Sequence, residues 1–267
     1  MTHHPFPRTA TRPGVLLLAL LWGCGESRDA PSAGATADPV AADLLSSARS
    51  PGLGLDARVP LADPQRDPSR AAGAAGAPAQ ELDIAQLGFN SGTEGAPVRV
   101  LEFSDFGCHY CRQFHIESFP ALEAEYMATG KVEWKYVPIV IGLFPNAMEA
   151  ARAGECAGEQ GRFPEMRDLL FDRQRDWKNS SRPEPVLEAL AREVGLDVAR
   201  YNSCVSEGRR DERILAGTRF SREVGVRGTP TFFVVGYAPI PGAIPLDLFR
   251  QVLDTVHAER TREAGGA

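Results

Sequence analysis

Cys108 and Cys111 stand in Cys108-His109-Tyr110-Cys111, a spacing at which two sulfurs can reach one another and cycle between dithiol and disulfide. Val98-Arg-Val-Leu-Glu-Phe-Ser before them reads as a strand, and the residues after them continue in a helical pattern. The pair therefore sits at a strand-to-helix junction. At the amino end of a helix, unpaired N–H groups and the helix dipole favour negative charge, so the spacing predicts a stabilised Cys108 thiolate with a lowered pKa. Cys111 lies one turn later, beneath it. Half of a zinc site has the same spacing, with His109 and His115 as further ligands and Cys111 and His115 on one helix face. Covalent haem attachment is disfavoured, because Arg112 rather than histidine follows Cys111.

The chain has 267 residues and a net charge of -6, which gives room for one sizeable core and offers no basic footprint for nucleic acid. Arg8 and Arg12 precede the apolar run Val15–Trp22, too short to span a bilayer but suited to a secretory signal. That run ends in Leu21-Trp22-Gly23-Cys24, which resembles a bacterial lipobox, although Trp22 is bulkier than the small residue usual there. Residues 1–24 are thus expected to direct export and to leave Cys24 lipidated at a membrane. Of five cysteines, removing Cys24 leaves the even set Cys108, Cys111, Cys156 and Cys204, and an exported compartment permits stable disulfides. From 25 to 80 the chain is rich in Ala, Gly, Pro, Ser and Asp and lacks aromatics, which predicts a disordered tether with a span on the order of 40 Å.

The elements that must position the cysteines fall between 81 and 258. Val98–Phe103 forms a first strand, Cys108 to Ala128 a helix stopped by Thr129-Gly130, and Lys131–Pro138 a second, alternating strand. Helical patterns dominate from 145 to 225. Gly228-Thr229-Pro230-Thr-Phe-Phe returns to strand, Ala238–Ile240 adds a short one, and Leu246–Val256 closes with a helix ahead of a flexible tail at 259–267. This order is a mixed α/β layer fold with helices on both faces of a sheet.

Cys-His-Tyr-Cys after a strand, an all-helical insertion, and Gly-Thr-Pro-Thr-Phe-Phe before a penultimate strand together resemble the DsbA-like family of thioredoxin-fold thiol:disulfide oxidoreductases. The resemblance covers about Glu81 to the last helix and implies a thioredoxin-like fold with its helical insertion between the second strand and the cis-proline strand. By it, Pro230 matches the family's cis-proline facing the redox disulfide, and the Thr229 backbone would pair with an extended substrate segment. Tyr110 would share that substrate face. Glu102 matches a buried acid that assists proton transfer at the deeper cysteine, and Lys135 a lysine that partners the acid. The alternatives are a solvated strand charge for Glu102 and an edge charge for Lys135. Cys156 and Cys204 resemble a second cysteine pair found in a subset of the family; a structural bridge there would add roughly 4 kcal/mol in the chain-entropy model, the alternative being two buried thiols. The chain departs from the family's frequent dipeptide by placing His109 first and Tyr110 second, which leaves the redox potential open.

The implied activity is disulfide donation through a mixed disulfide at Cys108, with His109 either assisting the thiolate or exposed and idle. Its substrates would be cysteine-containing exported proteins, and the family implies reoxidation by a quinone-linked membrane partner. The expected protein is a periplasmic, membrane-anchored monomer with a redox-active disulfide and with no metal or other cofactor. The rivals are a reductase or isomerase fed by a membrane electron donor, a metal-binding module, and a non-catalytic binding module.

Overall fold

The computed structural model describes residues 58–60 and 81–266. The expected signal, Cys24 and most of the expected tether lie outside the described residues. Within the expected tether, Arg58–Pro60 (β1) pairs antiparallel with Glu81–Asp83 (β2). Three residues held by a partner strand carry no compositional signature of their own.

The main sheet contains Phe89–Gly92 (β3), Val98–Ser104 (β4), Val132–Pro138 (β5), Thr231–Val234 (β6) and Ile240–Pro241 (β7), in the order β3-β5-β4-β6-β7. β4 is central, parallel to β5 and antiparallel to β6. Its near-continuous burial reflects cover on both faces. β5 is buried at every position for the same reason, although its sequence alternates. β3 escapes the sequence reading because Phe89-Asn-Ser-Gly holds a single large apolar residue; it is an edge strand paired with β5 from Phe89 opposite Tyr136.

The helix expected over 108–128 is broken into His109–Glu117 (α1), Phe119–Leu122 (α2) and a π turn at Glu123–Met127. Pro120 explains the break: it has no N–H for the carbonyl four residues back, and its ring crowds that carbonyl. The π turn closes with Ala128 N–H donating to Glu123 O at 2.8 Å, and the left-handed Gly130 (φ 76°) then turns the chain into β5.

Between β5 and β6 runs the helical insertion: Ala147–Gly158 (α3), Phe163–Asp172 (α4), Gln174–Lys178 (α5), Glu184–Glu193 (α6), Val198–Ser206 (α7) and Asp211–Glu223 (α8). Leu246–Gly265 (α9) ends the described fold and continues past the expected stop at Val256 and through most of the expected tail. Thr261 donates to His257 O and Arg260 to Val235 O within this extension, and Ala258-Glu-Arg-Thr-Arg-Glu-Ala is a helix-favouring run.

The core has three parts. α1, α2 and α9 cover one face of the sheet through Phe114, Trp134, Phe232 and Phe249. α8 covers the other through Phe103, Val137, Phe220 and Phe233. The third part joins the insertion to the start of α1 and contains Cys108 and Cys111 beside Phe106, Ala153, Leu170 and Phe171. Small residues on α3 make room for it; a side chain at Gly154 would press on the Phe106 ring at 3.2 Å. Among the described residues no helix is long and apolar enough to cross a membrane.

Candidate active site

β4 delivers the chain to the site, and a tight turn hands it to α1. Cys108 N–H donates to Asp105 O at 3.0 Å, which closes Asp105-Phe106-Gly107-Cys108 and makes Cys108 the N-cap of α1. Gly107 is required there, since a Cβ would collide with the Phe144 side chain. The insertion clamps the turn from outside: Gln174 Nε2, buried on α5, donates to Phe106 O at 2.6 Å and to Cys108 O at 2.9 Å.

The two thiols are free, buried and chemically unlike. Cys108 is lowered from 9.0 to about 5, chiefly by a hydrogen bond from the Cys111 thiol; burial opposes this, and the Thr229 side chain and the N–H groups of Cys111 and Tyr110 reinforce it. Cys111 is fully buried, and burial followed by the neighbouring Cys108 holds its pKa well above the ordinary thiol value. Opposite them the Thr229–Pro230 bond is cis, and the Cys108 thiol donates to Thr229 O at 3.2 Å. The Thr229 hydroxyl is itself buried without a hydrogen-bond partner, so it lies near the sulfur but outside donor geometry in the dithiol state. Pro230 O accepts from Gly242 N–H at 2.8 Å, which ties the loop to the turn after β7.

The structure brings Cys108, Cys111, Thr229 and Pro230 together at one end of the sheet. His109 is exposed and its ring lies 3.8 Å from that of Tyr110, with no hydrogen bond to Cys108 among the described residues. Tyr110 is 52% exposed beside the thiols. Cys156 on α3 and Cys204 on α7 are joined, with Cα atoms 5.9 Å apart, well away from the redox turn in sequence and on different helices.

Glu102 is fully buried, as a carboxylate set in an apolar strand must be if it has partners. Those partners are His115 Nε2 at 2.7 Å and Trp134 Nε1 at 3.0 Å. The expected partner Lys135 is placed elsewhere: Leu101 is its opposite number across the β4–β5 ladder while Glu102 faces Tyr136, so alternation puts Lys135 on the other side of the sheet. There its ammonium donates to Leu87 O at 3.2 Å and Ala85 O at 3.4 Å, and it is a buried residue of an internal strand rather than an edge charge. His115, read as one possible metal ligand, is committed to Glu102, and burial lowers its pKa so that the ring is neutral. Among the described residues no three His, Cys, Asp or Glu side chains converge as a metal site.

Two residues of the site were missed in the sequence. Asp105 accepts from Gly107 N–H at 2.8 Å and Ile141 N–H at 3.0 Å, and burial raises its pKa to about 6. Its signal was available, an acid between an apolar strand and the cysteine turn. Gln174 left none, because nothing in a helical run says which polar residue faces inward.

A thioredoxin family model matches residues 87–254. Among curated proteins, the Na(+)/H(+) antiporter NhaA 3 of Salinispora tropica is 37% identical over 145 residues, 54% of this chain and 21% of that protein. A provisionally named protein-disulfide oxidoreductase of Rickettsia bellii is 26% identical over 146 residues, 54% of this chain and 56% of that one. The chain thus spans about a fifth of the first relative's length and about half of the second's. Among solved structures, Wolbachia pipientis alpha-DsbA1 superposes with a TM-score of 0.60 at 20% identity, covering 67% of this chain and 98% of that one. Oxidised BdbD from Bacillus subtilis gives 0.58 at 20% identity, over 63% and 92%. At that identity the likeness establishes the fold, including its helical insertion.

Proposed function

The chain belongs to the thioredoxin family and shares the fold of alpha-DsbA1, and from that premise we propose that it is a DsbA-like thiol:disulfide oxidoreductase that donates the Cys108–Cys111 disulfide to cysteine-containing exported proteins. The observation that carries this reading is the asymmetry of the two thiols. A sulfur whose pKa is about 5 is a good leaving group at neutral pH, and its neighbour is a neutral thiol held in place by burial.

In the oxidised enzyme a substrate thiolate attacks Cys108 Sγ, the Cys108–Cys111 bond breaks, and its electron pair stays on Cys111, which takes up a proton. A second substrate thiolate then attacks the substrate sulfur of the mixed disulfide. Cys108 departs as its stabilised thiolate and the substrate leaves oxidised. The Thr229 backbone beside Pro230 positions an extended substrate segment, Tyr110 adds an exposed aromatic contact, and Glu102 handles the proton of Cys111. Stabilising the reduced form in this way makes the disulfide an oxidant. The cycle closes by reoxidation through a quinone-linked membrane partner. The amino-terminal signal and Cys24 support export and a lipid anchor, with the Cys156–Cys204 bridge as a structural brace.

The test is the equilibrium potential of Cys108–Cys111 against glutathione, in protein retaining Cys156 and Cys204. An oxidant should fall above about -200 mV, towards the -120 mV of the strongest oxidants; a value near about -270 mV would mark a reductant and replace this reading by its reductase rival.

A further inference from the structure

The loop that follows β5 is apolar where a surface loop is ordinarily polar. Val140-Ile-Gly-Leu-Phe-Pro145 contains no charge and no polar side chain. Leu143 is 75% exposed; Gly142 and Pro145 are exposed beside it, and Val140, Ile141 and Phe144 are half-buried. One exposed leucine is ordinary on a protein surface, whereas a contiguous apolar run is not. The loop is also firmly held. Val140 N–H donates to the Thr218 hydroxyl at 3.0 Å and Ile141 N–H to the Asp105 carboxylate at 3.0 Å. The Phe144 side chain rests on Gly107 of the redox turn. At the other end Asn146, left-handed at φ 55°, points its amide at the carbonyls of Trp177, Lys178 and Ser180 at 3.0, 3.1 and 2.8 Å. Between these anchors Gly142, at φ 80°, makes the turn, and no atom stands within 4 Å of where its Cβ would sit. The result is a fixed, convex apolar tip. Beside it lies a basic corner: the Lys178 ammonium is 4.8 Å from the centre of the Phe144 ring, and residues 172–182 carry Arg173, Arg175, Lys178 and Arg182 against Asp172 and Asp176. Arg175 and Arg182 are exposed, and neither side chain has a hydrogen bond or ion pair among the described residues. This excess of cations stands on a chain whose net charge is -6.

We propose that Ile141–Pro145 is a membrane-docking loop, in which Leu143 enters the interfacial layer of an anionic bilayer while Lys178, Arg175 and Arg182 meet its headgroups. An apolar surface rimmed by cations is the chemistry that such an interface selects, the apolar part gaining from burial and the cations from the negative surface potential. Shape separates this occupant from a polypeptide. A bound peptide places its side chains in concave pockets, and the tip at Leu143 offers none; a soft interface accepts a convex tip. One leucine and a few cations give weak binding alone, and they suffice for a chain already tethered at a membrane, where the effective concentration is high. Because Asp105 and Gly107 fix the loop to the redox turn, docking brings Cys108 to the membrane surface. The inference uses neither the direction of the redox reaction nor the nature of the anchor.

The experiment uses the full chain carrying Cys24→Ser, so that no lipid is attached, and vesicles of brominated phosphatidylglycerol, which quench an indole that enters them. Leu143→Trp supplies the probe, with the same chain lacking it as the baseline. Leu215→Trp, at an exposed leucine on α8, is the control for a tryptophan drawn into lipid from anywhere on the surface. The indole at 143 should be quenched and the one at 215 should not. Adding Lys178→Gln and Arg182→Gln should raise the lipid concentration for half-quenching on the order of tenfold, and salt should do the same. An unquenched indole at 143 would overturn the proposal, as would equal quenching at 215 or quenching that brominated phosphatidylcholine matches. A polypeptide occupant has its own signature: without lipid, the oxidised protein would prefer a cysteine peptide flanked by leucine to one flanked by serine, and Leu143→Asp would erase that preference. That result with an unquenched indole would reassign the loop and overturn the proposal. A reductant-like potential would end the proposed function without touching the quenching, and failed quenching would end the docking loop without touching the function.

Discussion

The difference between Cys108 and Cys111 fixes how the site responds to pH. With its pKa lowered to about 5, chiefly by the Cys111 thiol, Cys108 should react with iodoacetamide at a rate that rises through about pH 5 and is flat by pH 7; an ordinary cysteine rises near about 8.5. The folded pKa lies below the unfolded one, so the reduced protein gains stability as pH climbs from about 5 towards 9, and loses it as pH falls through about 5. Denaturant titrations of the reduced form at pH 5 and pH 8 check that sign. Thr229→Val keeps the side-chain shape and removes the hydroxyl that helps lower Cys108, so the thiolate titration should move up and the potential become more reducing; an unchanged titration would remove the hydroxyl from the site. Cys108→Ser should abolish disulfide transfer, and Cys111→Ser should trap a mixed disulfide visible on a non-reducing gel. At this scale the cysteine pair was legible because its chemistry depends on local spacing. Glu102 was legible as a buried acid, but its partner was not, because only strand register decides whether Lys135 or His115 reaches it.

At the scale of elements, the insertion both braces itself and holds the redox turn. The Cys156–Cys204 bridge closes a separation of 48 residues between α3 and α7. Replacing both cysteines by alanine should cost roughly 4 kcal/mol in the chain-entropy model, read from urea midpoints, with the potential of the redox pair unchanged. Gln174 links α5 to the turn through the carbonyls of Phe106 and Cys108. Gln174→Leu should cost about 1–3 kcal/mol, because at least one of those carbonyls is left buried and unpaired, and should speed amide exchange at Cys108. β4, the insertion and the strand after Pro230 could be read from periodicity and motif. The kink at Ser118 could have been read from Pro120 alone, whereas β3 could not, since an edge strand of Phe89-Asn-Ser-Gly owes its form to β5.

For the whole molecule, the described fold holds the residues of the proposed redox chemistry, and the amino-terminal region carries the question of where that chemistry would happen. Cys24 lies outside the described residues. If it anchors the protein, Cys24→Ser should move the chain from the membrane to the soluble fraction while leaving the potential of Cys108–Cys111 as it was; retention at the membrane would reject the anchor. The expected signal was read from its charges, apolar run and lipobox-like end, and the expected tether from composition, which is blind to a short pairing such as Arg58–Pro60 with Glu81–Asp83.

Cys156 and Cys204 are sealed in the insertion's core, whereas Cys108 lies at the mouth of the redox turn against the Thr229–Pro230 loop proposed to meet substrate. A gentle reductant should therefore release thiols in two separated steps, the redox pair in the native state and the bridge only after unfolding. The molecule carries a built-in gauge of its own integrity: a thiol count above that of the redox pair, taken without denaturant, reports chains whose insertion has come apart.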